Sequence, residues 1–161
     1  MSPKLKKTKP IQIGTVKIGG KHPIALIAGP CVIESERGAM NIAEKLKRIT
    51  DNAGIPFIFK SSYDKANRSS IDSFRGPGLN KGLAIMGKIK RELNIPLLSD
   101  VHTEKEIAPA SEVLDVLQIP ALLCRQTDLL VKAAKTGRPV NVKKGQFMAP
   151  WDMKNVVDKL A

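Results

Sequence analysis

Two rhythms of apolar residues take turns along this chain. Pro23 to Ala28, Ile55 to Phe59, Pro96 to Ser99, a stretch within Val113 to Ile119, and Pro139 to Val142 are short, nearly continuous apolar runs of the length and bounding expected of buried strands. Between them the spacing is helical. Ala39, Ile42, Ala43, Leu46, Ile49 and Ala53 recur after Ser35, with Lys45, Lys47 and Arg48 on the other face, and Gly54 supplies a stop. Leu83, Met86, Ile89 and Leu93 predict a second helix, and Thr103 with Glu106 has the form of a capping box opening a third. A fourth runs from about Thr127 to a cap at Gly137, and a last one follows Pro150 through Met153, Val156, Val157 and Leu160. Ahead of all this, Ile11 to Lys21 alternates and is broken by glycines, as a small hairpin is.

Strands alternating with helices predict right-handed βαβ units and a parallel sheet. Five such units fit either an open doubly wound sheet or part of a barrel. No Gly-x-Gly-x-x-Gly follows the first strand, which disfavours a dinucleotide-binding fold. The strand ends instead bear Cys31, Lys60, Asp100, Gln118 and Lys143. Polar groups converging from separate strands characterise the catalytic face of a (β/α)8 TIM barrel. The expectation is an α/β fold of that class covering about the first five β/α units: a disordered basic tail over 1–10, then a partial barrel over 11–161 with the hairpin at 11–21 and the units from residue 23 on.

A length of 161 residues fits one domain. Aromatics make up only 4%, so Ile, Leu, Val and Ala must build the core. A formal net charge of +12 suits anionic partners. No zinc-finger spacing or basic helix with stacking aromatics accompanies it, so nucleic acid is not expected as a partner. No apolar run approaches membrane-spanning length and no apolar stretch follows the N-terminal lysines, so neither a membrane nor a signal peptide is expected, and the location expected is cytoplasmic. Cys31 and Cys124 are then expected as free thiols.

The densest chemistry lies between Phe59 and Gly78. Lys60, Lys65, Arg68 and Arg75 stand there beside the hydroxyls of Ser61, Ser62, Tyr63, Ser69 and Ser70. Cations with hydroxyl and backbone donors are what a phosphate monoester requires, because hydrogen bonds to an anion are the stronger kind.

Several stretches together resemble one family. Ile-Ala-Gly-Pro-Cys31 with Val-Ile-Glu-Ser, Lys60 to Ser70, Phe-Arg-Gly-Pro-Gly, Ser-Asp100-Val-His, Gln118-Ile-Pro-Ala with Leu-Cys-Arg125-Gln-Thr-Asp, and Val-Lys143-Lys-Gly-Gln-Phe-Met-Ala-Pro-Trp resemble 3-deoxy-D-manno-octulosonate 8-phosphate synthase over roughly residues 22–160. The sibling heptulosonate phosphate synthases share Ala-Gly-Pro-Cys but usually carry a Lys-Pro-Arg-Thr type motif after the second strand, where this chain has Lys-Ala-Asn-Arg-Ser-Ser. They are the second alternative.

The resemblance implies an aldol-type transferase that condenses phosphoenolpyruvate with D-arabinose 5-phosphate and releases phosphate, in lipopolysaccharide synthesis. It implies Lys60, Lys65, Lys143 and Gln118 around phosphoenolpyruvate, with Lys65 close to both substrates, and Asn67, Arg68 and Ser69 around arabinose 5-phosphate. Lys65, Asp100 and Asn67 are the catalytic candidates, Asp100 lying near the sugar hydroxyls or a metal. Arg125 is implied to reach the sugar phosphate across a subunit boundary, since the family is usually tetrameric. Cys31 places the chain with the metal-dependent members and is implied as a ligand to a divalent metal, Zn2+, Fe2+ or Mn2+. On its own, a cysteine after a strand is more often a small packing residue. The family's His, Glu and Asp ligands come from later strands that do not appear in this sequence; His22 and His102 fall at other positions. The expectation is therefore a fragment that is inactive alone, served by a C-terminal complementing piece, or else a non-catalytic remnant.

Overall fold

The computed structural model describes residues 8–161; residues 1–7 of the expected basic tail lie outside them. Thr8 is docked, its hydroxyl accepting from the Gly20 N–H at 3.0 Å. The hairpin forms as expected, β1 (Ile11–Ile13) against β2 (Val16–Ile18), with Gly14 at φ 55 in the turn.

Five parallel strands follow in chain order: β3 (Leu26–Ala28), β4 (Phe57–Lys60), β5 (Leu97–Asp100), β6 (Val116–Ile119) and β7 (Val140–Val142). Helices separate them: α1 (Glu36–Ala53), α2 (Leu79–Leu93), α3 (Glu104–Val113) and α4 (Thr127–Ala134), with α5 (Met153–Asp158) after β7. This is a partial (β/α) barrel. Ser35 caps α1 by accepting from the Gly38 N–H at 3.1 Å, and Gly54 closes it in the left-handed conformation, φ 65. Prolines stand at the strand entrances because they have no N–H to leave unpaired. Their carbonyls are used: Pro56, Pro96 and Pro139 accept from Leu26, Phe59 and Leu117 on the neighbouring strands at 2.8, 2.9 and 3.1 Å.

The register sorts residues onto two faces. Leu26 pairs with Phe57, Ala28 with Phe59, Phe59 with Leu97, Ser99 with Leu117, and Ile119 with Val142. That face meets the helices and, with Met86, Ile89, Ile107, Leu114, Leu130 and others, builds the main core. The opposite, concave face carries Ile58, Leu98 and Val116, closed from below by Ile13 and Val16 of the hairpin. One step further along each strand the concave face turns polar: Lys60, Asp100, Gln118 and Asn141. An apolar floor under a polar layer is the arrangement that sets up a site.

Pairing of β3 begins only at Leu26, although its apolar run starts at Pro23; Ile24 is 90% exposed on the open side. β3 and β7 are the two edges of the sheet, and Ile27 of β3 with Ile42 and Ile49 of α1 are also exposed.

Candidate active site at the carboxyl ends of the strands

Lys60 ends β4, and the loop after β3 is drawn tightly onto that end. The Ser61 hydroxyl donates to the Pro30 carbonyl at 3.0 Å and the Ile33 N–H to the Ser62 carbonyl at 3.0 Å. Only glycine fits at position 29, where a Cβ would stand 1.9 Å from the Lys60 carbonyl oxygen. The next loop closes on itself: Lys65 N–H donates to the Arg75 carbonyl at 2.8 Å, Gly78 N–H to the Tyr63 carbonyl at 3.0 Å, and Arg75 grips Asp64 through two bonds of 2.8 and 2.5 Å. The long basic stretch is therefore an ordered loop at its base.

Asp100 is the hub. Its Oδ2 accepts from the Ser62 hydroxyl at 2.5 Å and from Lys65 Nζ at 3.3 Å, with Lys60 Nζ at 3.8 Å; its Oδ1 accepts from Gln118 Nε2. Ser62 in turn accepts from Lys65 at 2.7 Å and Lys60 at 3.1 Å, so one hydroxyl bridges both ammonium groups to one carboxylate. Asn141 Nδ2 donates to Gln118 Oε1 at 2.8 Å and extends the network to a fourth strand. Burial pushes the Asp100 carboxyl upward, but the Ser62 and Gln118 donors and the two lysines outweigh it and hold it below the usual carboxylate range. For Lys60 burial wins, and its ammonium is held below the ordinary lysine value despite Asp100, with Lys65 adding to the effect. Two cations of the three charged groups leave a net positive, sparsely hydrated cradle, which an anion would satisfy.

A second carboxylate holds this cradle's outer wall. Glu106 Oε2 accepts from the Tyr63 hydroxyl at 2.7 Å and the His102 N–H at 2.9 Å, and its Oε1 accepts from the Thr103 hydroxyl at 3.1 Å. The expected capping box is thus altered: Thr103 stands at the N-cap of α3 but its hydroxyl donates to Glu106 rather than accepting from the helix. Tyr63, buried because Gly82 of α2 leaves it room, is thereby tied to the end of β5. Burial raises the Glu106 carboxyl, but His102 and Tyr63 as donors bring it down to about 2. A carboxylate with its pKa lowered on folding stabilises the fold above its unfolded value, and that contribution disappears as pH falls through the folded one. Wild-type protein should therefore lose on the order of 3 kcal/mol from this group between pH 4.5 and pH 2. Urea unfolding across that window should show a shallower loss for Glu106→Gln; parallel curves would refute the tie.

Residues 4–161 match the model of the DAHP synthetase I family. The chain belongs to that family. Among curated relatives it is 64% identical over 154 residues to a Trichlorobacter lovleyi protein, 63% over 154 to one from Pelobacter propionicus and 60% over 154 to one from Geobacter sp. strain M21. All three are named 2-dehydro-3-deoxyphosphooctonate aldolase, and each match covers 96% of this chain. The chain spans about half the length of these relatives, 56–57%.

In this member of the DAHP synthetase I family, Lys60, Lys65, Asp100 and Gln118 come together, while the other expected residues stand apart. Asn67, Arg68 and Ser69 are exposed at the tip of the loop, with Arg68 Nε donating to the Phe74 carbonyl at 3.3 Å. Lys143 is exposed one residue past β7. Arg125 lies beside α5, its carbonyl accepting from Lys159 Nζ at 3.3 Å, and lines a separate cleft of ≈ 370 Å³ with Phe147, Asp152, Asn155 and Lys159. Cys31 is exposed in the loop after β3. Among the described residues no three His, Cys, Asp or Glu side chains gather as metal ligands, so these residues do not by themselves fit a divalent metal. Among the described residues no helix is long and apolar enough to cross a membrane.

Sequence reasoning named Ser62 and Tyr63 only as hydroxyls and Glu106 only as a capping residue, and it missed Asn141. A signal for Asn141 was present: one polar residue between two valines on a strand points to the opposite face from both.

Proposed function

We propose that this chain forms the phosphoenolpyruvate-binding half of an enzyme that condenses phosphoenolpyruvate with D-arabinose 5-phosphate and water to 3-deoxy-D-manno-octulosonate 8-phosphate and phosphate, in lipopolysaccharide synthesis. The observation that carries this reading is the Lys60–Lys65–Ser62–Asp100 cluster on the concave face at the strand ends. The names of the relatives point the same way. Lys60 and Lys65 hold the anionic groups of phosphoenolpyruvate, with Gln118 beside them and Lys143 swinging in from the end of β7. Asp100, kept ionised, acts as an acceptor only and orients Lys65 or a sugar hydroxyl. Asn67, Arg68 and Ser69 close over arabinose 5-phosphate, and Arg125 serves a neighbouring subunit of a homotetramer. Cys31 would hold one position of a divalent metal, the other ligands coming from the polypeptide that supplies the remainder of the relatives' length, and that metal would supply electrostatic stabilisation. The location proposed is the cytoplasm.

The test joins the chain, covalently or as a mixture, to a polypeptide supplying the remainder of the relatives' length. Phosphate release with phosphoenolpyruvate, arabinose 5-phosphate and divalent metal is expected from the joined protein and not from the lone chain. Release with a four-carbon aldose phosphate instead would reassign it to heptulosonate synthesis. No release from any joined form would mark a non-catalytic remnant, and turnover by the lone chain would overturn the half-barrel reading.

A further inference from the structure

Asp100 can act as a hub only if Gln118 presents its amide nitrogen, and a neighbouring donor supports that orientation. An ionised carboxylate only accepts hydrogen bonds, so Gln118 must offer Nε2 to Asp100 and leave Oε1 on the other side. A glutamine amide has nearly the same shape when flipped, and nothing in its own chain chooses between the two orientations. Oε1 is met by Asn141 Nδ2 at 2.8 Å, a donor from the neighbouring strand in direct register, Gln118 against Asn141. If the Gln118 amide turned over, Oε1 would oppose the Asp100 carboxylate whichever way Asn141 turned, and against Asn141 as it stands Nε2 would meet Nδ2, so both bonds would be lost unless the Asn141 amide turned as well.

We propose that Asn141 is a positioning residue of the anion site: by donating to Gln118 it fixes the amide that holds Asp100, and through Asp100 the paired lysines. The proposal rests on the reading of the cluster as the phosphoenolpyruvate site. The groups facing Asp100 are Lys60 and Ser62 from the end of β4, Lys65 from the loop beyond it, and Gln118 from β6. Asn141 touches none of the lysines; it acts by orientation alone.

Asn141→Leu keeps the size and removes the donor. In the full chain the side-chain amide protons of Gln118, assigned by NMR with the help of Gln118→Glu, should lie downfield in the parent and move upfield in Asn141→Leu. Phosphoenolpyruvate, titrated calorimetrically into both, should bind more weakly to the variant, by up to about tenfold, the effect of one lost hydrogen bond. An unmoved Gln118 signal with unchanged affinity in folded Asn141→Leu overturns the proposal. If the parent binds no phosphoenolpyruvate, the functional reading fails, while the Gln118 signal still decides the positioning role. Should Asn141→Leu not fold, Asn141→Ala gives the same two readouts with the side chain too short to reach.

Discussion

Asp100→Asn is expected to lower stability by about 2–3 kcal/mol at neutral pH, a large effect for a change of one atom type. The carboxylate is 8% exposed, between ammonium groups that are 19% and 14% exposed. Without it, Lys60 and Lys65 face one another across Ser62 with no counter-charge. Removing one partner from a buried pair costs about 3–5 kcal/mol, because the other partner stays desolvated. Here the cost falls at or below the low end, since Lys60 gives up its proton more readily than an ordinary lysine. For the same reason the destabilisation should shrink as pH rises toward the lysine range. Urea unfolding of parent and variant at neutral and alkaline pH measures both effects. Stability within about 0.5 kcal/mol of the parent at neutral pH would show that the lysines do not depend on Asp100.

Gly29→Ala should cost about 3–4 kcal/mol. The new Cβ would stand 1.9 Å from the Lys60 carbonyl oxygen and 2.9 Å from its carbon, both backbone atoms of a strand already paired to β5. No rotamer change relieves such a contact. The loop must lift, and with it go the bonds from Ser61 to Pro30 and from Ile33 to Ser62. Gly54→Ala is the control: it also stands at positive φ but has nothing within 4 Å, so it should cost only about 1 kcal/mol from its left-handed backbone. Equal thermal or urea midpoints for the two variants would remove the case for a close approach at Gly29.

The strand count and order were legible because each strand is a compact apolar run with a proline or glycine at its margin, and because neighbours in sequence are neighbours in the sheet. Lys60, Asp100 and Gln118 could be named from their place at the ends of those runs. The links between them could not. That Ser62 bridges both lysines, or that Asn141 meets Gln118, depends on register to the single residue, and a shift of one would send each side chain to the helix-covered face. The ends of helices showed a similar limit. α4 stops at Ala134, ahead of the expected Gly137, which sits in the turn beyond at φ 71. Glu106 had the spacing of a capping residue and lies where that predicts, yet its donors include the phenol of Tyr63, far away in sequence, and local spacing carries no trace of that.

The strict chain order of the sheet also bears on how the polypeptide is made. Every strand from β4 onward pairs with the one that left the ribosome just before it, so no strand has to wait for a distant partner. The hairpin bearing Ile13 and Val16 precedes the parallel strands in the chain and is available as Ile58, Leu98 and Val116 arrive above it in turn. Pairing between sequence neighbours, rather than between distant strands, keeps the entropic cost of each closure low. Assembly during synthesis can therefore proceed one β/α unit at a time, each new unit covering the sheet edge that the previous one left open.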